Sequence, residues 1–259
     1  MKFYDRVQEL EILREIEAMS AESAQMTMMV GRRRVGKTTL LRNAFIATPV
    51  LYFFIGRKNE ILLCEEFTEE IEAKLGETFG RFSSFAQLFK VLMQLSKRKN
   101  FTLIIDEFQE FRNISRSLFS DMQNIWDANK EESRINLVIC GSIYSMMKQI
   151  FENSKEPLYG RATARMHIHP FEISTLKEIL TDNYPDYKPE DLLAFYLLTG
   201  GVAKYIEQLV IRKAFTKEKI LKAVLSPGSY FLEEGKDVLI EEFGRDYNNY
   251  FSILALIAS

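Results

Sequence analysis

Apolar residues fall along the first two thirds of the chain in five short runs: Met26–Val30, Val50–Ile55, Phe101 to Phe111 (FTLIIDEFQEF), Ile135–Ser142 and Ala164–Pro170. The first four are nearly continuous blocks, the pattern of strands buried on both faces; the last alternates and stops at a proline. Between them the spacing changes to that of helices. KTTLLRNAFI follows the first run across a glycine loop, and two helices are expected between Ile55 and Phe101. The second of these opens on Ser84 and Gln87 at capping-box spacing, with Phe85, Leu88, Phe89 and Leu92 on one face. A further helix places Leu118, Met122, Ile125 and Trp126 inward. Strands alternating with helices predict an α/β fold, a parallel sheet flanked by helices. After Phe171 only helical patterns remain (STLKEILTD, PEDLLAFYLLTG, VAKYIEQLVIRKAF, KEKILKAVL), so a sheet domain over residues 1–170 and an all-α part over residues 171–245 are expected.

Composition changes this picture little. The 259 residues are 47% hydrophobic and 27% charged, with a net charge of −2. That is ordinary globular chemistry and lacks the basic excess of a nucleic-acid binder, so contact with DNA stays open but is not supported by charge. Two cysteines, Cys64 and Cys140, sit among apolar neighbours, which points to buried, reduced thiols in a cytoplasmic protein. The charged N-terminus does not read as a signal peptide, and no apolar run approaches the ~18 residues of a membrane span, so no membrane partner is expected.

The chemistry begins where the first run ends. Gly31-Arg32-Arg33-Arg34-Val35-Gly36-Lys37-Thr38 matches GxxxxGK[ST] in full, between a strand and a helix. Glycines let successive backbone N–H groups turn inward as an anion nest, and the helix beginning at Lys37, Thr38 and Thr39 aims its positive end at the same point. Lys37 would reach the β- and γ-phosphates, and Thr38 would offer Mg²⁺ its hydroxyl. The three arginines occupy variable positions: their backbone would wrap the phosphates, while their side chains either stay solvated or meet a partner's acids or nucleic acid. In LIIDE, Asp106 would hold Mg²⁺ through water and Glu107 would polarise the attacking water. Ser142, at the tip of the next run, could bond the γ-phosphate or the water, or cap the following helix. Arg161 is a candidate for stabilising charge at the γ-phosphate, or a structural ion pair; Arg165 lies close by, and His167 and His169 read as ordinary strand residues. Gly200-Gly201 reads as a turn between helices, with a backbone approach to the nucleotide as the sharper alternative. NKEE at Asn129–Glu132 lacks the aspartate of a guanine-reading NKxD, which favours ATP.

Together these segments resemble the archaeal-type ATPase family of prokaryotes, P-loop ATPases close to AAA+ and STAND proteins. FYDRVQELEIL, GRRRVGKTTLL, LIIDEFQ, CGSIYSMM, PLYGRATARMHIHPF and LTGGVAKY follow in family order, with Phe3, Arg6, Glu9 and Leu10 in the places of the family's opening segment. Asp5 stands where the family usually has glycine, and Ala203 where it commonly has proline. The resemblance implies ATP/ADP and Mg²⁺ as ligands and a slow, regulatory ATPase. Its nucleotide state would be coupled, through a helical lid, to a protein partner or to a C-terminal effector domain. It also implies that residues 246–259 begin a winged-helix segment cut short by the end of the chain. A scaffold stabilised by nucleotide, or a DNA- or protein-binding module with little hydrolysis, is the alternative; no acceptor motif supports a small-molecule kinase.

Overall fold

The computed structural model describes residues 2–56, 58–115 and 117–258. It divides into two compact units, one from Arg6 to His169 and one formed by the residues before Arg6 together with those from Pro170 onward. In the first unit the elements run α1 (Val7–Met19), β1 (Gln25–Val30), α2 (Lys37–Ala44), β2 (Val50–Phe54), α3 (Glu60–Leu75), α4 (Phe85–Leu95), β3 (Phe101–Asp106), α5 (Phe111–Ile114), α6 (Leu118–Asn129), β4 (Ile135–Gly141), α7 (Tyr144–Glu152) and β5 (Ala164–His167).

The five strands form one sheet in the order β2-β3-β4-β1-β5, every pair parallel. Strand position explains the two kinds of apolar pattern. The three inner strands β1, β3 and β4 are buried at every residue, whereas the edge strands β2 and β5 are buried only in part. One face is filled by α3 and α4, where Phe53 stacks on Phe67 with ring centroids 4.1 Å apart and Phe85 meets both edge-on. Each fully buried side chain of this size contributes about 1.5–3 kcal/mol. Ser84 caps α4 by accepting from Gln87 N at 3.4 Å, but the return arm of the capping box goes elsewhere: Gln87 Oε1 accepts from Ser83. On α6, Leu118, Met122 and Trp126 are buried and Ile125 half-buried. Asn129, in the near-miss guanine motif, ends α6 with its amide donating to Ile125 O and its Oδ1 accepting from Gln94, a packing role.

The second unit holds α8 (Ile173–Asn183), α9 (Pro189–Thr199), α10 (Ala203–Ile211), α11 (Lys217–Leu225), α12 (Tyr230–Phe243) and α13 (Tyr247–Ala258). Leu176, Ile179, Leu180, Phe195, Ile206, Leu209 and Ile220 make its core, joined by Tyr4 from the N-terminus. The two departures from the family pattern have local explanations. Asp5 lies at φ 56, a left-handed conformation that suits glycine and that aspartate tolerates, and its carboxylate accepts from Thr175 Oγ1 at 3.0 Å. Ala203 is the first residue of α10, the position at which proline costs a helix nothing. None of the described side chains of α13, which covers most of the expected winged-helix segment, is buried.

Both cysteines are buried and unpaired, and burial pushes the Cys64 thiol up to about 12. Among the described residues no helix is long and apolar enough to cross a membrane.

Candidate functional site

A parallel sheet brings the carboxyl ends of its strands to one edge, and here that edge collects the polar residues. Because β3, β4 and β1 are neighbours, the segments after Asp106, Gly141 and Val30 emerge side by side. Gly31 is the first residue beyond β1. A Cβ there would stand 2.7 Å from Ile168 O, so the loop can lie against the end of β5 only with glycine. Arg34 (φ 69) and Gly36 (φ 100) both take left-handed backbone, and Gly36 caps α2. Two such residues in a short loop turn its amides toward a common centre. Val35 is buried beneath the loop, while Arg32 and Arg33 are exposed and Arg34 is half-buried.

Lys37 is buried, and its ammonium folds over the loop to donate to Gly31 O at 2.6 Å and to Arg32 O at 3.5 Å. Neutral carbonyls do not compensate a buried cation, and an anion seated in the loop would. Thr38 is half-buried at the first turn of α2; Thr39 is exposed, its carbonyl accepting from Asn43 Nδ2 at 2.8 Å.

Asp106 ends β3 and is buried. Its Oδ1 accepts from Glu107 N at 3.0 Å and its Oδ2 from Tyr52 Oη at 2.5 Å. Burial pushes the Tyr52 phenol far above its ordinary range, Asp106 adds to this, and a hydrogen bond with Thr38 opposes it. Tyr52, read in the sequence only as one letter of an apolar strand, therefore stands against Asp106, a metal-ligand candidate. Glu107 adopts φ 56, which turns its carboxylate out of the strand. There Oε2 accepts from Ser142 Oγ at 2.7 Å and from Gln109 Nε2 at 2.5 Å. Ser142 is not the cap of α7: Ile143 holds that position without a side-chain hydrogen bond. Gln109 also escaped the sequence reading, although it lies just two places past the acid pair. It is buried, and a Cβ on Gly141 would lie 2.4 Å from Met147 Cγ, 2.5 Å from Met147 Sδ and 2.7 Å from Gln109 Oε1, so the strand end before Ser142 is crowded from both sides. Behind them the buried Cys140 thiol is raised chiefly by desolvation, with Asp106 and Glu107 adding and Lys37 opposing, so all three charges reach one point of β4.

The structure corrects one expectation. Arg161 is not near the loop: the backbone just after it joins the sheet where Thr163 N donates to Met26 O at 2.7 Å, at the amino end of β1, whereas Gly31 follows its carboxyl end. Its guanidinium pairs with Asp127 (2.7 and 3.2 Å) and donates to the carbonyls of Pro157 and Tyr159. Arg161 is thus a structural ion pair that closes the turn before β5. Arg165 faces Glu152 at 4.0 Å, and the His167 ring lies between Tyr144 and His169. Gly201 packs inside the helical unit. It lies at φ 73, its carbonyl accepts from Phe171 N at 2.8 Å, and its N–H donates to Thr199 Oγ1 at 3.3 Å.

These residues fit a nucleotide with a divalent cation: an amide nest and a buried ammonium for phosphates, and hydroxyl and carboxylate oxygens of the hard type that Mg²⁺ prefers. The family model describing an ATPase domain predominantly from Archaea matches residues 3–209. The chain belongs to that family. This ATPase domain is 26% identical over 256 residues to the uncharacterized protein MJECL04 of Methanocaldococcus jannaschii, a match covering 99% of the chain and 54% of that protein. The chain therefore spans about half the length of this relative. Its fold is that of the Walker-type ATPase PABY2304 of Pyrococcus abyssi (TM-score 0.66, 18% identity, covering 92% of this chain and 74% of that one). It is also that of the ORC2 protein of Aeropyrum pernix, solved with ADPNP and ADP (TM-score 0.61, 15% identity, covering 91% and 71%). A STAND protein of Pyrococcus horikoshii with a tetratricopeptide repeat sensor is similar at TM-score 0.52 and 15% identity, over 98% of this chain and 34% of that one.

Proposed function

We propose that this ATPase domain binds ATP with Mg²⁺ at Gly31–Thr39 and hydrolyses it slowly, using the change of nucleotide as a regulatory switch. The observation that carries this reading is the meeting of Lys37, Asp106, Glu107 and Ser142 at the carboxyl ends of β1, β3 and β4. The loop amides and Lys37 bind the phosphates, and Thr38 and Asp106 hold the cation. When bound, Mg²⁺ would neutralise charge on the phosphate oxygens and so assist transfer of the γ-phosphoryl group from ADP to water. Glu107 orients the attacking water, and Ser142 and Gln109 fix the carboxylate that does so. Arg32–Arg34 contribute backbone to the nest rather than side-chain chemistry. ATP is favoured over GTP because no NKxD accompanies the loop.

The switch would act on a protein partner or on a further domain of the kind that gives the relative its greater length; DNA is disfavoured by the net charge of −2. Such coupling requires ATP and ADP to bind different arrangements with different affinity. Residues 165–175, which span the passage from one unit to the other at Pro170, are the place to look. Under saturating Mg²⁺ with ATP or with ADP, limited proteolysis is expected to cut this segment at different rates. Identical digestion in the two nucleotides would leave an ATPase domain without a switch.

A further inference from the structure

Tyr52 belongs to no motif of the nucleotide loop or of the acid pair, yet its hydroxyl donates to the Asp106 carboxylate at 2.5 Å. The register explains how. Tyr52 pairs with Ile104 and Phe54 with Asp106, so Tyr52 is the diagonal neighbour of Asp106 across β2 and β3. Residues two apart on a strand share a face, and an aromatic side chain spans the diagonal. Leu51 and Phe53 point to the opposite face and are fully buried, whereas Tyr52 is half-buried on the side of the site.

We propose that Tyr52 is a positioning residue for the divalent-cation site, its phenol hydroxyl fixing the orientation of the Asp106 carboxylate. This rests on the reading of Thr38 and Asp106 as the cation's ligands. Asp106 has one donor on each oxygen, Glu107 N on Oδ1 and Tyr52 Oη on Oδ2, so its carboxylate plane is fixed from both sides. Mg²⁺ tolerates little departure from octahedral geometry and gives up its waters reluctantly, so a ligand acting through water must be held in a fixed orientation. Outer partners of metal ligands commonly change metal affinity by 10–100-fold when removed. Tyr52 would therefore set the Mg²⁺ concentration at which the site works, without touching nucleotide.

The test is equilibrium binding of a fluorescent ATP analogue, titrated with Mg²⁺, for wild type, Tyr52→Phe and Asp106→Asn. Tyr52→Phe removes one oxygen and keeps the ring. It is expected to raise the Mg²⁺ concentration for half-maximal effect by about 10-fold, while affinity for the analogue in EDTA, governed by Lys37 and the loop, stays at the wild-type value. Unchanged metal-free affinity also certifies that the variant is folded. If Asp106→Asn shifts the Mg²⁺ midpoint and Tyr52→Phe does not, the role of Tyr52 is overturned and the cation site stands. If Asp106→Asn leaves the midpoint where it was, the cation site itself is wrong, and the inference falls with it.

Discussion

Lys37→Met is expected to weaken nucleotide binding by roughly 100-fold or more. The methionine keeps the apolar stem that lies buried under the loop, so the fold is preserved and only the ammonium is lost. In the structure that ammonium is one of the buried charged groups of the sheet unit, bonded to the carbonyls of Gly31 and Arg32. With a phosphate in the nest it would exchange neutral acceptors for anionic ones. Charge-assisted hydrogen bonds contribute roughly 1.5–3 kcal/mol each, and about 1.4 kcal/mol is tenfold in affinity. Two such bonds therefore correspond to a loss of roughly 100-fold or more in Kd. Calorimetric titration of ATP into the two proteins decides the matter. A Kd within a few-fold of wild type would mean that the loop does not hold phosphates as described.

The second large effect is on stability. Gly201→Ala is expected to destabilise the helical unit by roughly 3 kcal/mol or more, at the upper end of what single substitutions do. A non-glycine residue in the left-handed region costs about 1–2 kcal/mol on its own, and Gly201 lies at φ 73. The added methyl would also stand 2.2 Å from the backbone oxygen of Phe171, an atom that cannot swing aside. Gly200 is the contrast: φ is 53, but no atom lies within 4 Å of its Cβ position, so Gly200→Ala should show only the backbone cost. Denaturant unfolding of the pair separates the two contributions. Equal losses for both variants would remove the packing role assigned to Gly201.

How far the sequence carries toward this structure depends on the kind of contact. The nucleotide loop is legible because its parts are consecutive: strand, glycine turn and helix start lie within one short stretch, and each residue type answers a local demand. The strands are legible for a related reason, since a strand buried on both faces must be apolar throughout, as β1, β3 and β4 are. The contacts of Tyr52 and Gln109 are of another kind. Tyr52 reaches Asp106 through sheet order and register, which apolar letters in VLYFFI do not reveal. Gln109 turns back to Glu107 because Glu107 takes a left-handed backbone, a conformation that its residue type does not announce. Arg161 shows the converse. Its glycine-flanked arginine looks like phosphate chemistry in one dimension, but the direction of β5 in a parallel sheet sends the residues before it to the far edge. Ser142 lies between these cases: its place at a strand tip could be read directly, whereas the choice between capping α7 and bonding Glu107 needed coordinates.

Whether Glu107 directs water at ATP held by the loop is decided by single-turnover hydrolysis of pre-bound ATP with Mg²⁺, wild type beside Glu107→Gln. Glutamine keeps the shape of the side chain and an acceptor for Ser142, but it loses the charge that polarises water. Wild type is expected to release phosphate, while Glu107→Gln binds ATP equally well and hydrolyses it at least about 100-fold more slowly, the range typical of a general base. Equal release from both proteins would contradict the role of Glu107, and intact ATP in both would contradict hydrolysis by this domain on its own.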